Sequence, residues 1–137
     1  MVTSLNRYER KKDIALALRA VACLPSTCSV KLVIAGGYDE RVIENVDHHL
    51  ELKNLAKKLD LKVIFLRSIS NEDRISLLRR TNILLYTPMN EHFGIVPLEA
   101  MYMLCTVIAC NSGGPLESII NGKTGYLLPP EPEVWAE

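Results

Sequence analysis

Neither sign of charge dominates this chain, and that lack excludes a good deal. Sixteen Lys and Arg balance sixteen Asp and Glu, so the chain has no basic footprint for nucleic acid. No apolar run approaches the ~20 residues that span a bilayer. Met1–Asn6 lacks the long apolar stretch of a signal peptide. Glycine-rich signatures are also missing. Gly36-Gly37 is not G-x-G-x-x-G and no G-x-x-x-x-G-K-[ST] occurs, which argues against a dinucleotide oxidoreductase or a P-loop enzyme. Ser112-Gly113-Gly114 has no nucleophile-elbow frame, so a Ser/His/Asp hydrolase is poorly supported. The cysteine pairs Cys23/Cys28 and Cys105/Cys110 do not have C-x-x-C spacing, and no histidine completes a metal pattern beside them. There is no internal repeat, low-complexity tract or interdomain linker.

What remains is one ordinary domain. At 137 residues and 48% hydrophobic content, the chain can bury a real core and reads as soluble and cytosol-facing. In that compartment the cysteines are expected to be reduced structural thiols. Cys105 and Cys110, flanking Thr106–Ala109, suit small buried hydrophobes. His48-His49, in a polar helix, is expected on a solvated face and not at a metal.

The pattern along the chain alternates. Strands are expected at Val2–Leu5, Lys31–Ala35, Lys62–Leu66, Ile83–Tyr86, Thr106–Ala109 and Tyr126–Leu128. Between them fall helices over Asp13–Leu24, Glu40–Leu59, Asn71–Arg80, Gly94–Leu104 and Pro115–Ile120. The second helix should bury Val42, Ile43, Val46, Leu50, Leu52, Leu55 and Leu59. The third should bury Ile75, Leu77 and Leu78, with Ser70 or Asn71 as its cap. Glu133–Glu137 has the look of a further helix cut short. Alternating strands and helices imply a parallel sheet in a three-layer α/β/α Rossmann-like domain. Ligands then bind outside the carboxyl ends of the strands, where the turn after Leu5, Gly36-Gly37, the Glu91 loop and Gly113-Gly114 all converge.

Two features there bear on chemistry. Glu91 and Glu99 bracket seven residues without another charge. Pro97 fits only the first turn of the helix starting near Gly94. The amides of Gly94, Ile95 and Val96 would then face outward at the positive end of the helix dipole, as a phosphate site. Glu99 lies among Val96, Leu98, Ala100 and Met101. A carboxylate in that setting is expected to serve a ligand, such as a pair of ribose hydroxyls, more than to decorate the surface. Glu117 is similarly placed. His92 either contacts a sugar or phosphate or shapes the loop. The second feature is the basic turn Arg7–Lys12. It is a solvated turn or, given its place on the ligand edge, a diphosphate site in which Arg offers a fork of donors and Lys a compact charge.

Together, Arg7…Lys12, Glu91-x7-Glu99, Asn111–Glu117 and Gly122–Leu128 resemble the nucleotide-sugar half of the retaining GT-B glycosyltransferases, over nearly the whole chain and in the expected order. The strings Asn6–Lys12, Ala35–Arg41 and Tyr86–Gly94 look more particularly like those of the eukaryotic α-1,3/1,6-mannosyltransferases of dolichol-linked oligosaccharide assembly.

That resemblance implies roles. Arg7 and Lys12 match the diphosphate-binding pair, Glu99 the acid at the ribose, and Glu91 the acid beside the donor sugar. His92, Phe93, Gly94, Ile95 and Val96 fall at the sugar and phosphate. Asp13 departs from the pattern, since many relatives carry glycine after the lysine. The implied donor is GDP-mannose, used as a substrate with no tightly bound cofactor and no fixed metal; no D-x-D occurs. The implied acceptor is the lipid-linked Man-GlcNAc2 oligosaccharide, extended by α-1,3 and then α-1,6 mannose at the cytosolic face of the endoplasmic reticulum. Membrane association would reside outside this chain, and assembly with other transferases of the pathway is consistent with it. Residues 1–137 are expected to be the donor domain, without the acceptor-binding N-terminal domain and cut short at the C-terminus, and so inactive alone. Two alternatives stay open: a non-catalytic nucleotide-sugar-binding or assembly module, and a related transferase with another donor sugar.

Overall fold

The computed structural model describes residues 1–25, 30–89, 96–115, 119, 121–123 and 125–136. Six strands form one sheet: β1 (Val2–Leu5), β2 (Leu32–Gly36), β3 (Val63–Arg67), β4 (Ile83–Tyr86), β5 (Thr106–Cys110) and β6 (Gly125–Leu128). Their order is β3-β2-β1-β4-β5-β6, and every pairing is parallel. Among the described residues five helices join in: α1 (Ile14–Ala22), α2 (Ile43–Lys58), α3 (Asn71–Arg80), α4 (Val96–Tyr102) and α5 (Pro132–Ala136). None of the described helices is long and apolar enough to cross a membrane.

The strand alternation explains the layers. Val33 and Ala35 point to one face and pack with Leu77 and Leu78 of α3 and Ala100 of α4. Leu32 and Ile34 point to the other, against Ile14 and Leu18 of α1 and Leu52 and Ala56 of α2. A third cluster joins Leu16, Ala17 and Ala20 of α1 to Leu85, Cys110 and Trp135. Such side chains contribute about 1.5–3 kcal/mol each when fully buried. Trp135 also satisfies its indole by donating to the Pro129 carbonyl at 2.7 Å, which ties α5 to the end of β6.

The expected α/β/α sandwich is therefore present, with strand bounds that shift by a residue. Pro97 is the second residue of α4, where a missing N–H does little harm. The Ser70 hydroxyl caps α3 by accepting from the Asp73 amide at 3.1 Å. The helix expected over Pro115–Ile120 lies largely outside the described residues.

The buried faces of two helices differ from expectation. On α2, Val42, Ile43 and Leu50 are exposed, Ile43 by 75%. The residues turned inward include Asn45, His48 and His49, so His48-His49 is not a solvated face. Asn45 takes its place because α2 packs on a loop whose backbone groups need partners, and His49 because it packs among aromatic rings. Asn45 donates to the Tyr8 carbonyl at 3.1 Å and accepts from the Asp39 amide at 3.0 Å. On α3, Ile75 is 41% exposed, whereas Leu77 and Leu78 are buried as expected.

The register across the middle of the sheet is uneven. β1 pairs with β2 over four residues, and β4 with β5 over four. Between β1 and β4 only Val2↔Ile83 and Thr3↔Leu84 are in register. The two central strands stay side by side, with a shorter ladder than their neighbours have. This is also where the strand order reverses, the switch point at which doubly wound sheets bind ligands.

Candidate functional site

A cleft of about 390 Å³ opens at the carboxyl ends of β1 and β4. Its walls come from the carboxyl ends of four strands: Leu5 and Asn6 after β1, Gly36 and Gly37 at β2, Ser68 after β3, and Tyr86 of β4. The charge on the walls is one-sided. Arg7, Lys11, Lys12 and Arg74 line it, and among the described lining residues Glu9 is the one acid. A partly enclosed cavity with that lining attracts an anion.

The turn carrying Arg7 and Lys12 is built into the core. Tyr8 is fully buried, and its hydroxyl lies 2.8 Å from the Leu66 carbonyl and 3.2 Å from that of Ile34. Its ring makes edge contacts with Tyr38 and His49, and His49 with Phe65. Burial raises the Tyr8 phenol well above its ordinary range. It also holds the His49 imidazole below its usual value, with Lys53 and Arg67 adding to the effect. Both groups stay neutral at pH 7, as a packed aromatic cluster requires. Across the cleft, the buried Thr87 hydroxyl donates to the Lys12 carbonyl. Arg10–Lys12 form a 3-10 turn whose Arg10 pairs with Glu51 of α2.

Two tight places control the floor. A Cβ on Gly36 would run into the Asn6 carbonyl, so only glycine lets the end of β1 pass over the end of β2. Ser68 adopts φ 49°, held by hydrogen bonds from its hydroxyl to the Tyr38 carbonyl (2.8 Å) and from the Tyr38 amide (3.0 Å). A strained non-glycine backbone beside a cleft is a frequent mark of a functional site.

Asp13 has a plain explanation. It sits between the 3-10 turn and α1 with φ 50° and ψ 43°, the left-handed region. That is the conformation glycine adopts without penalty, and aspartate is among the few side chains that tolerate it. Burial pushes its carboxyl above the ordinary range, eased by Arg19 and His48.

Of the site residues expected from sequence, the structure brings together four. Arg7, Lys12 and Val96 line the cleft. Glu99, half-buried on α4, is joined to the cleft wall through Arg74, whose Nη2 donates to Glu99 Oε1 at 2.8 Å. Glu91, His92, Phe93, Gly94 and Ile95 lie outside the described residues, as does Glu117. Arg74 was missed, along with the part played by Lys11. The available signal was position: Arg74 follows the carboxyl end of β3 by one helical turn, on the edge where ligands bind. Cys105 and Cys110 are buried free thiols. Burial pushes Cys110 up to about 11, with Asp13 adding to the rise, so both act as packing. Cys23 is exposed, and Cys28 lies outside the described residues.

The match to known proteins agrees with this geometry. The family model of the glycosyl transferases group 1 matches residues 1–137. The chain belongs to that family. Among relatives of this group 1 domain is the α-1,3/1,6-mannosyltransferase ALG2 of Homo sapiens, 54% identical over 145 residues that take in 100% of this chain and 35% of that protein. The chain thus spans about a third of the length of such relatives. Among solved structures, Anabaena HepE in complex with UDP-glucose superposes with a TM-score of 0.82 at 26% identity, covering 98% of this chain and 36% of HepE. The C-terminal domain of the group 1 protein LpcC from Francisella tularensis gives 0.82 at 27% identity, with 98% of this chain and 71% of that domain covered. The fold is accordingly the nucleotide-sugar half of a GT-B glycosyltransferase.

Proposed function

We propose that this chain is the donor-binding domain of a retaining α-1,3/1,6-mannosyltransferase that takes mannose from GDP-mannose. The observation that carries the reading is the cationic cleft at the β1/β4 switch point, with Arg7 and Lys12 on a turn anchored in the core. Two phosphates are the natural charge complement of such a cleft. The likeness to ALG2 over the whole chain supplies the sugar and the linkages.

In this reading Arg7 and Lys12 hold the diphosphate and stabilise the negative charge that develops on it as the glycosidic bond breaks. Because the turn is fixed before substrate arrives, little reorganisation accompanies that step. Glu99 accepts from the ribose hydroxyls. Glu91, with the loop through Ile95, positions the mannose. The departing diphosphate takes the acceptor's proton on the same face, so the sugar keeps its configuration without a covalent adduct on Glu91. The acceptor is a lipid-linked Man-GlcNAc2 oligosaccharide, extended at the cytosolic face of the endoplasmic reticulum and held by parts of the enzyme outside this chain.

Titration calorimetry with GDP-mannose, GDP, UDP and UDP-glucose tests the donor. The guanine ligands should bind well ahead of the uracil ones. Lys12→Ala should weaken GDP binding roughly 10- to 100-fold, the range for one hydrogen bond to a charged group. Equal affinity for UDP-glucose and GDP-mannose would remove the donor assignment. An unchanged affinity in Lys12→Ala would remove the site.

A further inference from the structure

We propose that Arg74 is a positioning residue that presents the Glu99 carboxylate to the donor's ribose. The proposal rests on the reading of Glu99 as the ribose acid and adds the group that aims it.

Arg74 is the fourth residue of α3, at the helix end where a cation is electrostatically disfavoured. Helix stability therefore does not account for it. Its guanidinium lines the same cleft as Arg7 and Lys12 and reaches across to α4, donating from Nη2 to Glu99 Oε1 at 2.8 Å. The two side chains are 28% and 34% exposed, so neither swings freely in solvent. The Arg74 Nε is buried and, among the described residues, has no hydrogen-bond partner. The Glu99 contact satisfies Nη2, and in doing so it fixes the carboxylate.

The chemistry follows from counting lone pairs. A carboxylate reading two vicinal hydroxyls needs an orientation in which both oxygens can accept. One charge-assisted contact to Oε1 holds Glu99 oriented, and leaves Oε2 and the remaining lone pair of Oε1 to the ligand. Without it, a glutamate on a short helix samples other rotamers, and the orienting entropy falls on the binding step. Arg7 and Lys12 already serve the diphosphate, so Arg74 has no need to leave Glu99 when donor binds.

Calorimetry with GDP and 2′,3′-dideoxy-GDP separates this role from others. The wild-type chain should prefer GDP by roughly tenfold or more, as expected for hydroxyls bonded to a charged group. Arg74→Ala should lose most of that preference by weakening GDP alone, with dideoxy-GDP bound within about twofold of wild type. Arg74→Lys should retain part of the preference, and Glu99→Ala should abolish it whether or not Arg74 is present. Thermal unfolding of each variant reports whether it is folded, and Arg74→Gln stands in if the alanine variant is not. If Arg74→Ala weakens both ligands equally, Arg74 is a phosphate ligand and the proposal fails. If the preference is unchanged in Arg74→Ala yet lost in Glu99→Ala, the proposal fails and the ribose reading stands. A wild type without preference, or Glu99→Ala without effect, sinks both.

Discussion

On the β1 side of the cleft, the turn carrying Arg7 and Lys12 is tied down by a buried tyrosine, an asparagine from α2 and the Thr87 hydroxyl. On the other side, Glu99 is held by a single ion pair between half-exposed side chains. The first arrangement draws on neutral hydrogen bonds and aromatic packing in the interior, where an unmade bond costs about 1–3 kcal/mol. The second draws on an interaction that solvent weakens to about 0–1 kcal/mol. The turn of Arg7 and Lys12 is thus part of the fold, whereas the α4 end of the cleft rests on side-chain placement. Damage to the first should appear in stability as well as binding; damage to the second should appear in binding alone.

The largest test of that contrast is Tyr8→Ala. Loss of a buried aromatic ring costs about 3–5 kcal/mol, which should lower Tm by roughly 10–20 °C in a domain of this size. Glu99→Ala should move stability by less than ~1 kcal/mol. Comparable losses of Tm in the two variants would erase the distinction.

Asp13 offers a smaller effect of opposite sign. Asp13→Gly should raise stability by about 1 kcal/mol, since glycine carries no left-handed penalty. Asp13→Asn keeps the conformational preference and removes only the half-buried charge. Because folding raises the Asp13 carboxyl, its ionisation opposes folding, and stability declines as pH rises from the ordinary aspartate range through the raised one. Urea melts at pH 4 and pH 7 should show that decline reduced in Asp13→Asn. A more stable wild type than Asp13→Gly would show that the aspartate makes a contact that outweighs its strain.

The smallest effect concerns His49. Its folded value is depressed, chiefly by burial, so the unfolded chain binds the proton more readily. Stability present at neutral pH is then lost as pH falls below the ordinary histidine value near 6.5. Thermal melts between pH 7 and pH 5 should show this fall in the wild type and a shallower one in His49→Phe. Identical slopes would take His49 out of the aromatic anchor.

Much of this architecture was legible in the sequence, because apolar runs such as Leu32–Ala35 and Ile83–Tyr86 end in glycine, asparagine or proline. Arg7, Lys12 and Glu99 were legible as well, since the basic turn and the helix after β4 had to face the carboxyl edge. The buried face of α2 was not. Hydrophobic periodicity ranks Ile43 and Leu50 above Asn45 and His49, yet the surface beneath α2 presents a carbonyl and an amide that Asn45 satisfies and aromatic rings that His49 packs against. Arg74 escaped for a related reason: its role depends on α3 and α4 being brought side by side, a proximity that neither segment announces alone.

The floor of the cleft comes from the ends of strands, with Gly36 and Gly37 offering no side chain at all. Replacing rim residues therefore changes the guest and leaves the room standing. Variation at Arg7, Lys11 or Arg74 then retunes what the cleft accepts on an unchanged frame, so that new specificity need not begin with a new fold.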